Sequence, residues 1–227
     1  MAVKIKEKLM LDRDGLLKHG PVNVVIFGDS ISHGAFNEYV DQQSVYWNLL
    51  KMKLHTVRDY MPINMICAAV GGATAGELLP GLEERVLSHK PDLVIVCFGL
   101  NDINGTLENY IGALKQIFEK CCAAGCDVVF MTPNMLNTYV AEDTPVQHKV
   151  YAVKTAQMQN EGRMDRYISA AAELARSMSV PVCDCYSKWK ELSKTQDTTL
   201  LLSNRINHPT EEMHHLFADA LFDWIME

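Results

Sequence analysis

The run Leu93-Val94-Ile95-Val96-Cys97-Phe98 limits the folds open to this chain more than any other stretch. Six consecutive apolar residues between Pro91 and Gly99 have no polar face to offer water and are too few for a buried helix. They read as a strand covered on both sides. Similar strands are expected at residues 22–27, 63–70, 127–131 and 180–183. Helical spacing of apolar residues fills the gaps, at residues 44–60, 74–88, 106–124 and 158–178, and a last helix is expected over 210–226. Ser44 and Thr210 are placed to cap their helices. Five strand–helix alternations imply parallel strands with helices on both faces. The expected fold class is α/β, a three-layer α/β/α sandwich of flavodoxin-like type with a five-stranded parallel sheet. One domain spans residues 1–227, with 1–20 a polar, irregular N-terminal arm.

Such sheets bind ligands beyond the carboxyl ends of their strands. Of the possible ligands, polyanions fit poorly. The formal charge is −7, and no basic stripe is present to neutralise nucleic-acid or membrane phosphates. No apolar run reaches membrane-spanning length. The N-terminal Met1-Ala2-Val3-Lys4-Ile5-Lys6-Glu7-Lys8 carries charge where a signal peptide needs an apolar segment, so a cytoplasmic location is expected. The seven cysteines (67, 97, 121, 122, 126, 183 and 185) are scattered through strand and helix patterns, and those in apolar strands read as buried thiols of a reducing compartment. Their spacing lacks the paired ligands and histidines of a zinc site, and no metal or organic cofactor is expected.

The carboxyl-end loops carry residues apt for acyl transfer. The first strand runs into Gly28-Asp29-Ser30, the second into Gly71-Gly72 and the third into Gly99-Leu100-Asn101-Asp102. The segment after the fifth leads to Asn207-His208-Pro209. A serine hydroxyl is a poor nucleophile without an imidazole to take its proton, and the oxyanion that follows needs donors aimed at it. Ser30 and His208 supply the first pair; the Ser30 amide, the Gly72 amide and the Asn101 side chain supply the second. Each residue alone has a plainer reading, as a turn serine, a turn asparagine or a turn glycine, with Gly71 able to replace Gly72. His214 and His215 fall inside the last helix and read as packing or surface residues. His33 reads as a bystander or substrate contact, and Asp29 as a turn-stabilising acceptor.

In these blocks and their order, from Val24 to the final helix, the chain resembles the SGNH (GDSL) hydrolase family of esterases and lipases. The resemblance implies Ser30 as nucleophile, His208 as base, and Ser30, Gly72 and Asn101 as the oxyanion hole. Two departures accompany it. Cys67 or Ala68 stands where the family's second block begins with asparagine, and Arg205 stands three residues before the histidine, where the family has its acid. A main-chain carbonyl, Asp184 or Asp197 could orient His208 instead, or the enzyme is weak. The expected activity is hydrolysis of a carboxylic ester, a short-chain acyl group or an acetylated carbohydrate or metabolite, through an acyl-enzyme. Residues 133–153, with Met135, Leu136, Tyr139 and Tyr151, are expected to line the substrate pocket. The alternatives are a lysophospholipase or thioesterase of the same family and a non-catalytic ligand-binding domain on the same fold. The expected partner is a small ester; a homo-oligomer stays open.

Overall fold

The computed structural model describes residues 4–58 and 60–227. Its strands are β1 (Val22–Gly28), β2 (Ile63–Cys67), β3 (Leu93–Cys97), β4 (Asp127–Met131) and β5 (Val182–Cys183). All pair in parallel, in the order β2-β1-β3-β4-β5, which is the flavodoxin-like order. The central β3 is fully buried along its length, as its uninterrupted apolar run requires. The sheet has its switch in strand order at β1. The chain leaves β1 for β2 on one side and returns past it to β3 on the other, so the loops after β1 and β3 part and leave a crevice at their carboxyl ends.

The helix after β1, α4 (Tyr46–His55), pairs with the C-terminal α11 (Glu211–Met226) on one face. On the other lie α5 (Ala75–Leu78), α6 (Leu82–Arg85), α7 (Leu107–Ala123), α8 (Lys149–Asn160) and α9 (Arg163–Ser177). The cap expected at Thr210 holds, and Thr74 and Thr106 cap α5 and α7, each of the three accepting a main-chain N–H of the first turn. Thr74 and Glu77 form a reciprocal capping box.

Several boundaries differ from expectation, each for a local reason. The N-terminal arm is helical, α1 (Lys4–Leu9) and α2 (Arg13–His19), because Ile5 and Leu9 share one face of α1 and bury it in the core. Lys8 ties that helix to Asp92 at 2.8 Å. Ser44 does not cap α4; Val45 holds that position, with no side-chain bond. The helix expected over 74–88 breaks into short turns around Pro80-Gly81. The helix expected over 158–178 is two, α8 beginning earlier at Lys149 and α9 after Gly162, whose left-handed φ of 72° ends the first run. β2 ends at Cys67 rather than residue 70, and β5 keeps only two residues of its expected run. After β5 comes α10 (Cys185–Leu192), capped by Asp184.

Gly28 closes β1 where backbone and neighbours meet. A β-carbon there would stand 2.5 Å from Ser32 Oγ and 2.6 Å from the Cys97 carbonyl oxygen. The strand can therefore deliver the next residues to the crevice only with glycine at this position. We expect Gly28→Ala to lower stability by about 1–3 kcal/mol, read as a shift in the urea unfolding midpoint at unchanged m.

Candidate active site

Asp29 caps the four-residue helix α3 (Ser30–His33), its Oδ1 accepting the Ile31 N–H at 3.1 Å. Ser30 thereby starts a turn at the carboxyl end of β1, 5% exposed. Ser32 holds the turn from behind, through Tyr46 Oη at 2.9 Å and through its carbonyl, which accepts from Trp47 Nε1 at 2.9 Å. Cys67, one of the two residues near the place of the family's asparagine, has its Sγ 3.6 Å from the same carbonyl.

Two residues far apart in the chain meet at this turn. Ser30 Oγ lies 3.0 Å from His208 Nε2, and His208 Nδ1 lies 2.5 Å from the carbonyl oxygen of Phe36. A carbonyl can only accept, so Nδ1 carries the proton and Nε2 presents its lone pair to the Ser30 hydroxyl. That is the tautomer a general base needs. Burial of the ring holds the His208 pKa below its usual 6.5, opposed by the Phe36 carbonyl and assisted by His148.

Asn101 stands beside them. Its Nδ2 donates to the Ala73 carbonyl at 3.1 Å and lies 3.5 Å from Asp29 Oδ2, leaving its second hydrogen loosely held. The next residue, Asp102, accepts the Ala75 N–H at 2.9 Å. The loops after β1, β2 and β3 are thus locked to one another. Gly71 packs against Ser30, the position of a β-carbon there being 3.9 Å from Ser30 Cβ, and Gly72 follows with a left-handed φ of 78°. Burial raises the Asp29 carboxyl to about 7, against the Ile31 N–H that favours ionisation and with Asp102 adding to the rise. Burial likewise raises Asp102 to about 6.

Arg205 has no part in orienting the imidazole. Its φ of 59° turns the chain outward, and its guanidinium binds Asp143 at 2.9 Å and the carbonyls of Leu200 and Leu202. Asp184 is spent on Ser187 and Thr132, and Asp197 on Tyr139 and Thr199. Of the candidates left open by the sequence, the main-chain carbonyl is the one in contact with His208. Phe36 carries no side-chain signal for this role, since the contributing atom belongs to the backbone.

The loop after β4 is held by buried amides instead of secondary structure. Asn134 Nδ2 donates to the Asn207 carbonyl at 2.9 Å, and Asn137 N donates to the Ile206 carbonyl at 2.8 Å. Gln159 Oε1 accepts from Leu136 N at 2.9 Å. The four expected pocket residues do not share one pocket. Leu136 is fully buried in the core. Met135 and Tyr139 line a cavity of about 530 Å³ with Asn160, Asp165, Lys190 and Gln196. Tyr151 lies instead beside Asn104, its hydroxyl 3.4 Å from Nδ2. Among the described residues, no group of three or more histidine, cysteine or acidic side chains could hold a metal, and no helix is long and apolar enough to cross a membrane.

His214 is buried completely, its ring 5.1 Å from Phe36 and its Nδ1 accepting the Tyr46 N–H at 3.2 Å, while His215 is exposed. Burial lowers the His214 pKa to about 3, with His208 and His215 adding to the fall. The unfolded chain therefore binds a proton near pH 6.5 that the folded chain refuses until about pH 3. Its contribution is complete above pH 6.5 and is lost as the pH falls. We expect wild-type stability to drop by up to about 1.4 kcal/mol per pH unit more than that of His214→Gln across this window, by urea titrations at stepped pH. Asp29 and Asp102 titrate with the opposite sign in both proteins and cancel in the comparison.

Comparison with known proteins places these features in a wider set. Residues 26–216 match the model of the GDSL-like lipase/acylhydrolase family. An acetylxylan esterase of Geobacillus stearothermophilus is 22% identical, over 76% of this chain and 78% of its own length. The crystal structure of that organism's acetylxylan esterase Axe2 superposes with a TM-score of 0.70 at 21% identity, covering 90% of this chain and 94% of the other. A lipase/acylhydrolase from Enterococcus faecalis superposes with a TM-score of 0.70 at 22% identity, covering 90% and 95%.

Proposed function

We propose that this chain, which belongs to the GDSL-like lipase/acylhydrolase family, uses Ser30 and His208 as a catalytic dyad to hydrolyse short-chain acyl esters of hydroxylated alcohols. The observation that carries the reading is the aligned series Ser30 Oγ, His208 Nε2, His208 Nδ1 and Phe36 O, joined by contacts of 3.0 and 2.5 Å.

In this reading His208 takes the hydroxyl proton as Ser30 Oγ bonds to the ester carbonyl carbon. The negative charge that develops on the carbonyl oxygen is met by the Ser30 amide, the Gly72 amide and the second hydrogen of Asn101 Nδ2, released from its long contact with Asp29. Collapse breaks the bond to the alkoxy oxygen, which leaves with the proton held on Nε2. Water, deprotonated by the same nitrogen, then attacks the acyl-enzyme and frees the acid and Ser30. The imidazolium formed midway is stabilised by the dipole of the Phe36 carbonyl in place of a carboxylate. Arg205, the feature that kept a non-catalytic binding domain open, lies outside this series and leaves it intact.

One comparison favours an acylated carbohydrate or similar metabolite over a long-chain lipid. One relative of similar sequence is an acetylxylan esterase. A cytoplasmic location suits the seven free thiols.

With p-nitrophenyl acetate and acetylated sugars, Ser30→Ala and His208→Ala should each lose at least about 10³-fold in kcat/KM while keeping the wild-type melting temperature. Ser30→Ala should also abolish covalent labelling by a fluorophosphonate. Wild-type turnover in either variant, or unchanged labelling, would overturn the dyad. The acid limb of kcat/KM should fall below pH 6.5, because the base works unprotonated and burial lowers its pKa. A limb at or above 6.5 in a stepped-pH series would contradict the burial of the ring.

A further inference from the structure

His208 has a second partner besides the Phe36 carbonyl, acting on its backbone. Asn204 is buried, and its single Oδ1 accepts three main-chain N–H groups, those of Ile206, Asn207 and His208, each at 3.0 Å. Its Nδ2 donates to Asn207 Oδ1 at 2.9 Å, so both ends of the side-chain amide are engaged. The neighbouring Ser203 closes the same ring from the other side. Its N–H donates to the His208 carbonyl at 2.7 Å and its Oγ donates to that carbonyl at 3.1 Å. Both main-chain polar groups of His208 are therefore pinned to residues 203 and 204.

This ring is unlike an ordinary turn. No helix or strand supplies the N–H groups of 206–208 with partners, and three orphan donors in a buried loop would be costly. A single carbonyl oxygen of suitable reach satisfies all of them. Arg205, within the ring, adopts the left-handed φ of 59° that bends the backbone around that oxygen. The same bend carries position 205 away from the imidazole.

We propose that Asn204 is the positioning residue of the base: it sets the His208 backbone so that one imidazole edge meets Ser30 and the other meets the Phe36 carbonyl. A carboxylate in a triad would grip the ring directly; here the grip is divided between a carbonyl at the ring and an amide at the backbone. The ring reaches both partners only if Cα of His208 is fixed, since a displacement near 1 Å is enough to cost about 100-fold in rate. The inference rests on the dyad reading above.

The test compares Asn204→Ala, Asn204→Asp and Ser30→Ala, with kcat and KM for p-nitrophenyl acetate, the rate of fluorophosphonate labelling, and the melting temperature. Asn204→Ala should lower kcat and the labelling rate about 100-fold with KM little changed, because the substrate's binding groups stay in place. Asn204→Asp keeps an oxygen for the three N–H groups and should retain most of both rates. A purely structural role would lower the melting temperature and leave the kcat of the folded fraction intact. Wild-type kcat and labelling in folded Asn204→Ala would overturn the inference, as would Asn204→Asp being impaired as severely as the alanine variant. Should Asn204→Ala be unfolded at assay temperature, Asn204→Ser, too short to reach all three amides, is read by the same criteria. Ser30→Ala separates the two levels: activity surviving in it refutes the dyad itself, whereas its loss beside an active Asn204→Ala refutes only the positioning role.

Discussion

The proposed reaction depends on the proton at His208 Nδ1, and a carbonyl oxygen of the backbone keeps it there. A neutral imidazole must donate from one nitrogen and accept at the other, and a partner that cannot donate removes the choice. The demand passes to Phe36, whose backbone has to be held as firmly as a catalytic side chain. Phe36 N–H donates to the Tyr39 carbonyl at 3.0 Å, within a small antiparallel bridge between Ala35 and Val40. The Phe36 ring is buried between Tyr39 and His214, with centroids 5.2 and 5.1 Å away. His214 belongs to α11 and meets α4 at Tyr46. The helical layer on one face of the sheet thus anchors a single carbonyl at the sheet's edge.

What the sequence makes legible follows from how each signal is encoded. Buried strands are apolar on both faces, so Leu93–Cys97 and the rest of the sheet could be read from composition along the chain, as could the cap at Thr210, though not the one expected at Ser44. Ser30, Asn101 and His208 stand out because their side chains are chemically distinctive, Ser30 and Asn101 just past the ends of β1 and β3 and His208 in the loop before the last helix. Short helices are poorly legible: α1 buries only Ile5 and Leu9 of its described side chains, too few residues to show a period. The loop after β4 reads as irregular because its order comes from Asn134, Asn137 and Gln159, residues that in isolation signal only polarity. Phe36 is invisible by type, since any residue could offer that carbonyl. Asn204 could have been noticed as an Asx residue just ahead of a loop histidine, but the number of N–H groups it gathers appears only in three dimensions.

Burial then acts on His208, Asp29 and Asp102 in the direction that suppresses charge. It lowers His208, and it raises Asp29 to about 7 and Asp102 to about 6. For the proposed reaction these shifts work together. An ionised Asp29, adjacent to the nucleophile and close to Asn101, would repel the negative charge that builds on the ester oxygen. Holding its carboxyl largely neutral on the acid side of pH 7 removes much of that repulsion while leaving the Ile31 N–H with an acceptor. At His208 a lowered pKa weakens the imidazole as a base yet strengthens the imidazolium as the acid that protonates the leaving alkoxide. A carboxylate at Nδ1 would favour the first half of the cycle by stabilising imidazolium. The neutral Phe36 carbonyl gives less help there and more to the departure of the alcohol, a balance suited to esters whose alcohol is a poor leaving group, as a sugar hydroxyl is.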